Sequence, residues 1–318
     1  MKQSRRRNRR LKTLFARLAL AGAFALSCSG RPKAFSYVAP DIGPGENAAE
    51  LRALADNWWQ RREDPLNARK ALAAYQHAFD ADRANVALGV RLAEANFFVA
   101  EYVFAPGCDP ERNLAPRLEL YAQGLSAGER ALEAHEEFRI THRQTRDEAR
   151  ALARLDTAKI AAIYWTYANM VRWSQEQNWF RRLGNKQRLE IYRHRLLELN
   201  DAYHYGGVYR LGRSMEKNGA IDIASRNAYE RAIAIAPNYF ANRRIYAQEY
   251  AVAKKDRELF ERELNDVLQT EAQVLPGAFP ENKFEQQIAG ALLQPECLNR
   301  LFRIKKEEEP RRVFKPRY

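Results

Sequence analysis

The sequence predicts an all-α protein of stacked helical hairpins, an α-solenoid of about four to five helix pairs closed by a C-terminal capping helix. Three observations carry that expectation. Residues 203–237 read as two antiparallel helices, with Leu211 and Gly212 in the first, a turn at Asn218 and Gly219, then Tyr229 and Ala232 before Pro237. A small, aromatic, small spacing recurs earlier at Ala71, Tyr75 and Ala78. Nowhere does a period-two alternation persist, so no strand is expected.

The hairpin at 203–237 has the outline of a tetratricopeptide unit. Gly212 and Ala232 let two backbones approach and Tyr229 fills the gap between them. Such a unit cannot bury its apolar face alone, so neighbours must stack on it. The first pair is read from Leu51, Leu54, Ala55, Trp58 and Trp59 on one stripe, followed by a helix that Pro65 opens. A second pair takes 84–103, too continuously apolar for an exposed helix, and 114–138 beyond the loop APGCDPERN. The polar run 139–150 shows no apolar face and reads as a solvated loop or an exposed helix end. A third pair joins 159–177, the most aromatic helix, to 185–199. After Pro237 come 239–253, a turn, then 257–268 with Asp256 as its N-cap. Pro276 and Pro280 break the chain, and 283–293 forms the capping helix.

The 318 residues carry a formal charge of +13, but the excess is concentrated at the two ends. Eight Lys and Arg precede Cys28 without an acid, and the tail 303–318 adds seven basic residues against Glu307, Glu308 and Glu309. A nearly neutral body excludes a broad phosphate-binding face, and with it nucleic acid as a partner. Residues 1–27 have the parts of a signal peptide: a basic start, the apolar run LALAGAFAL and small residues after it. That run is too short to span about 30 Å of hydrocarbon. Ala25-Leu26-Ser27-Cys28 resembles a bacterial lipobox, making Cys28 a lipid-attachment site; plain signal cleavage and an uncleaved anchor are the alternatives. The Pro- and Gly-rich 28–47 reads as a tether, 48–302 as the repeat domain and 303–318 as a charged, disordered tail. Cys108 and Cys297 lie far apart with nothing local to join them. They are read as two partly buried free thiols, with a disulfide as the alternative in an oxidising compartment.

With the pairs laid out, most of the chain after the leader resembles the T component of TRAP transporter systems, periplasmic tetratricopeptide lipoproteins found beside tripartite solute transporters. Four features carry the resemblance: the lipobox-like end of the leader, the aromatic helix around Ala161-Ala162-Ile163-Tyr164-Trp165, the link LLELNDAYHYGGVYRLG at 196–212, and the closing ENKFEQQIAGALL at 281–293. Asp201 stands where a proline is expected, and the insertion around Cys108 is long. The resemblance implies a lipid-anchored, non-enzymatic accessory protein on the periplasmic side of a bacterial membrane. Its implied partners are a periplasmic solute-binding protein, a hydrophobic small molecule and further copies of itself. A scaffold for envelope assembly is the alternative function.

No catalytic motif is present: there is no HExxH, no Cys-x-x-Cys and no nucleophile elbow. His135 and His142 are seven apart and His194 and His204 ten apart, so neither pair has the i, i+4 spacing of a helical zinc site. These histidines are read as surface or capping residues, with no metal and no cofactor. The sharper candidates are aromatic. Tyr164, Trp165, Tyr167 and Trp173 point in more than one direction around their helix, more than one interhelical seam needs. Some are core; Trp165 is the one assigned to a cavity, together with Tyr203. Gly206 and Gly207 either end a helix or open space for a ligand walled by Tyr203, Tyr205 and Arg210.

Overall fold

The computed structural model describes residues 47–176, 179–211 and 223–302. These residues are helical, with no strand among them. The signal peptide, Cys28, nearly all of the tether, Gly212, the turn at Asn218 and Gly219 and the tail 303–318 lie outside them. None of the described helices is long and apolar enough to cross a membrane.

Capping chemistry sets the first boundaries. Asn47 accepts from the amides of Ala49 and Glu50 at the head of α1 (Ala48–Trp59), and Leu51, Ala55 and Trp59 bury one stripe at i, i+4, i+8. Asp64 and Pro65 open α2 (Pro65–Ala81) in the same way. Tyr75 is fully buried between the two helices, and its hydroxyl donates to Asp56 at 2.6 Å. Helix α3 (Val86–Phe98) continues as a π-helical stretch, Val99–Val103, and packs on both α2 and α4 (Leu114–Ala134).

The expected single helix 114–138 is broken at His135, whose backbone is extended (ψ 119°). The polar run is helical as well, forming α5 (Glu136–Thr145) and α6 (Glu148–Leu152). Ion pairing and capping do there what an apolar face does elsewhere: Asp147 accepts from the Arg150 amide, and Glu148 holds Arg188 at 2.7 Å. Helix α7 (Ile160–Gln175) is buried nearly all round against α3, α4 and α8 (Trp179–Asn200). Beyond α9 (Tyr203–Leu211) come α10 (Ile223–Ile235) and α11 (Ala241–Ile245), the latter extended by a second π-helical stretch, Tyr246–Ala251. Asp256 caps α12 (Arg257–Gln269) as expected, accepting from the Leu259 amide. Pro280 lies in the first turn of α13 (Phe279–Leu292) rather than breaking the chain, because that turn needs no amide donor there. A short α14 (Pro295–Phe302) follows; its eight residues are too few for periodicity to announce them.

The C-terminal helices fold back onto the first ones. Arg62, after α1, grips Glu281 of α13 with both Nε and Nη2, at 3.2 and 2.9 Å. Phe284 packs edge-on to Phe98 and stacks on Tyr102, and Arg300 pairs with Asp109 at 2.8 Å. This return corrects the free-thiol expectation. Cys108 and Cys297, 189 residues apart, are joined as a disulfide with Cα atoms 5.5 Å from each other. Sequence distance misled because packing of non-adjacent helices, not local chain, brings the two cysteines together.

Candidate functional site

Between Ala202 and Gly207 the backbone reverses its hand. His204 (φ 46°, ψ 54°), Tyr205 (61°, 39°) and Gly206 (73°, 28°) are consecutively left-handed, a conformation costing L-residues about 1–2 kcal/mol each. Only Gly206 escapes that cost. Such strain persists where surrounding contacts over-determine it. Here Tyr205 stacks on Tyr239 (4.4 Å, 18°), and its carbonyl accepts from Asn242 Nδ2 at 3.2 Å. The same Asn242 amide also donates to the carbonyls of Ala232 and Ala236, while its Oδ1 accepts from Arg210 at 2.7 Å.

The reversed turn pushes two rings toward α7. Tyr203 lies edge-on to Tyr164 (5.3 Å), and His204 meets both Tyr164 (4.9 Å) and Trp165 (4.7 Å). Phe97 closes on Trp165 from α3 at 5.6 Å. Two glycines make this approach sterically possible. A Cβ on Gly207 would sit 2.2 Å from the Tyr164 hydroxyl, and one on Gly206 would sit 3.2 Å from Ala232 Cα. Gly206 is therefore a glycine that admits Ala232 among the described residues, the role expected of Gly212. Gly207→Ala is expected to cost about 1–3 kcal/mol by overpacking, and adding Tyr164→Phe should recover part of it; equal melting temperatures for Gly207→Ala and wild type would contradict the close contact.

The predicted residues divide cleanly. Tyr164, Trp165 and Tyr205 meet at His204, and Tyr203 joins them through Tyr164. Tyr167 is buried (1% exposed) on the side of α8 and is core, and Trp173, eight residues beyond Trp165, is half-buried and away from the turn. Arg210 is not an open wall: it is buried, donates to Asn242 and the Tyr164 hydroxyl, and lies 4.7 Å over the Tyr239 ring. Its field and its packing hold the turn.

Sequence reasoning missed the polar members. His204, read as a surface or capping residue, packs among the rings and is only partly exposed, as is Glu94 on α3. Burial, reinforced by the positive charges of Arg210 and Arg62, holds the His204 imidazole well below its ordinary range, so it is neutral at pH 7. Burial also raises Glu94 and Glu281 above the usual carboxylate range, with Arg91 and Arg62 working against the rise. Arg91 reaches Glu94 at 2.6 Å, and the Arg62 guanidinium lies 4.8 Å over the Trp59 ring. Tyr203 is pushed up to about 12 by burial and by Glu94. The result is a cluster of neutral aromatic rings with paired charges beside it. Nothing in the sequence spacing of Arg62, Glu94, His204 and Glu281 could have grouped them.

A depressed histidine pKa has a definite sign. Between the folded value and the unfolded value of about 6.5, the unfolded chain binds more protons, so stability is full above that window and is lost as pH falls through it. Wild type should therefore lose more melting temperature between pH 8 and pH 5 than His204→Asn, whose side chain tolerates the left-handed backbone. Parallel pH profiles for the two proteins would refute the assignment.

Compared with models of protein families, residues 95–298 match one described as TRAP transporter T-component. The matched region runs from α3 to α14 and includes the reversed turn. Among curated proteins the sequence has no significant match.

Proposed function

The chain belongs to the TRAP transporter T-component family, and from that premise we propose that it is a non-enzymatic accessory protein which binds the periplasmic solute-binding protein of its transporter and lodges an apolar organic solute beside the reversed turn. In this reading the described helices form tetratricopeptide-like hairpins over 48–302. Residues 1–27 direct export, Cys28 carries lipid, and 28–47 holds the domain off the periplasmic face of a membrane, where further copies can associate. The observation that most supports the solute site is the ring cluster of Tyr164, Trp165, Tyr203 and His204, of which Tyr203 and His204 are partly exposed. Aromatic walls supply the apolar burial such a ligand needs, and the neutral imidazole imposes no charge on it.

The transport role is tested by co-purification with the solute-binding protein under mild conditions; failure of that, with normal uptake in a deletion strain, would sink it. For the proposed solute site, Trp165→Ala and Tyr203→Ala should each weaken an apolar fluorescent probe by roughly tenfold, the value of about 1.4 kcal/mol of lost contact. Circular dichroism should be unchanged. Unaltered probe affinity in both variants would reduce these rings to packing.

A further inference from the structure

Two turns beyond Trp165 on α7, a different environment begins. A cavity of about 270 Å³ opens there, fronted by Arg117, Arg172, Arg244, Glu101, Glu176 and Glu249. Both π-helical stretches feed it: Glu101 projects from Val99–Val103 and Glu249 from Tyr246–Ala251, and both reach the one guanidinium of Arg172, at 3.0 and 2.8 Å. A π-helical turn carries an extra residue, costs regular hydrogen bonding, and recurs at functional sites.

Ion pairing accounts for part of this arrangement. Arg172 spends Nε on Glu101 and Nη1 on Glu249 and Gln175, Arg117 holds Glu176, and Arg244 holds the buried Glu285. It does not account for the open volume, which Arg172 fronts although it is only 8% exposed. Charged groups that line a space this enclosed are met there by water or by a ligand.

We propose that this cavity is a second binding site, for a small zwitterionic solute of the size of an amino acid or a betaine. The wall decides the ligand class: a lone anion would meet three carboxylates and a lone cation three guanidiniums, whereas a molecule carrying both charges satisfies both. Its carboxylate turns to the guanidiniums, its cationic end to the glutamates, and Tyr121 and Ile288 give its carbon skeleton an apolar surface. This site differs from the aromatic cluster in residues and in chemistry, and it stands whether or not an apolar solute binds there.

The test is calorimetry on the purified full chain with glycine betaine, and with its two halves, acetate and tetramethylammonium. Betaine and L-alanine should bind at least about tenfold more tightly than either half. Ile288→Trp, which fills the cavity, should lose about tenfold or more in betaine affinity, and Arg172→Lys, which keeps the charge but lacks the guanidinium fork, should do the same with its far-ultraviolet spectrum intact. Binding of acetate equal to betaine overturns the assignment, as does betaine binding unchanged in either variant. So does no betaine or alanine binding at about 10 mM, which would make the cavity a water-filled ion-pair network.

Discussion

Glu285→Ala is expected to destabilise the protein by about 3–5 kcal/mol, because it strands a buried guanidinium. Arg244 presents Nε and Nη2 to the two oxygens of Glu285 at 2.6 and 2.9 Å, and the carboxylate is wholly shielded from solvent. Burial alone would lower the Arg244 pKa; the Glu285 charge reverses that and holds it above its ordinary value. The remaining Arg244 nitrogen donates to Gln248, so the loss would also loosen the π-helical stretch of α11. Denaturant unfolding should register a much lower midpoint for Glu285→Ala and a partial recovery in Arg244→Met/Glu285→Leu, where apolar groups replace both partners. A Glu285→Ala midpoint within about 0.5 kcal/mol of wild type would mean that water reaches the guanidinium and the pair is not buried.

Loss of the Cys108–Cys297 disulfide is expected to cost about 2–5 kcal/mol, toward the upper end because the loop it closes is long. The bridge ties the loop before α4 to α14, and two other contacts cross the same seam: Arg300 with Asp109, and Gln248 with the Gly107 carbonyl at 3.1 Å. Reduction should therefore weaken the protein without unfolding it at room temperature. Wild type with a reducing agent and Cys108→Ser/Cys297→Ser without one should share a urea midpoint, and the agent should leave the serine variant unmoved. A wild-type midpoint indifferent to reductant, with two free thiols by titration, would remove the bridge.

Much of the helical framework was legible because capping and periodicity are local. Asp256, Pro65 and the apolar stripe at Leu51, Ala55 and Trp59 did in the fold what their sequence positions implied. The hairpin residues Tyr229 and Ala232 are both fully buried. Helices stabilised by charge, such as α5 and α6, were illegible because periodicity registers only apolar faces. The site was half legible. Aromatic density marked Trp165 and Tyr203, but His204 was dismissed, since nothing local says that its neighbours in space are rings from α7. Arg210 was placed on the right element and given the wrong task, because its partners Asn242 and Tyr239 come from more than 25 residues downstream. The cysteines failed for the same reason at greater range.

The return of α13 and α14 to the first hairpins also orders events in time. Arg62 finds Glu281 219 residues later, and Cys108 waits 189 residues for Cys297. A chain emerging from its N-terminal side can assemble α1 to α4 by neighbour contacts alone, but Phe98 and Tyr102 stay without Phe284 until the last helices follow. Long-range closure of this kind is slow to form, and the open intermediate presents aromatic surface. A truncation before Phe279 should thus leave a helical, sticky, oxidisable fragment with Cys108 unpaired, so quality control of this protein falls on its final helical turns.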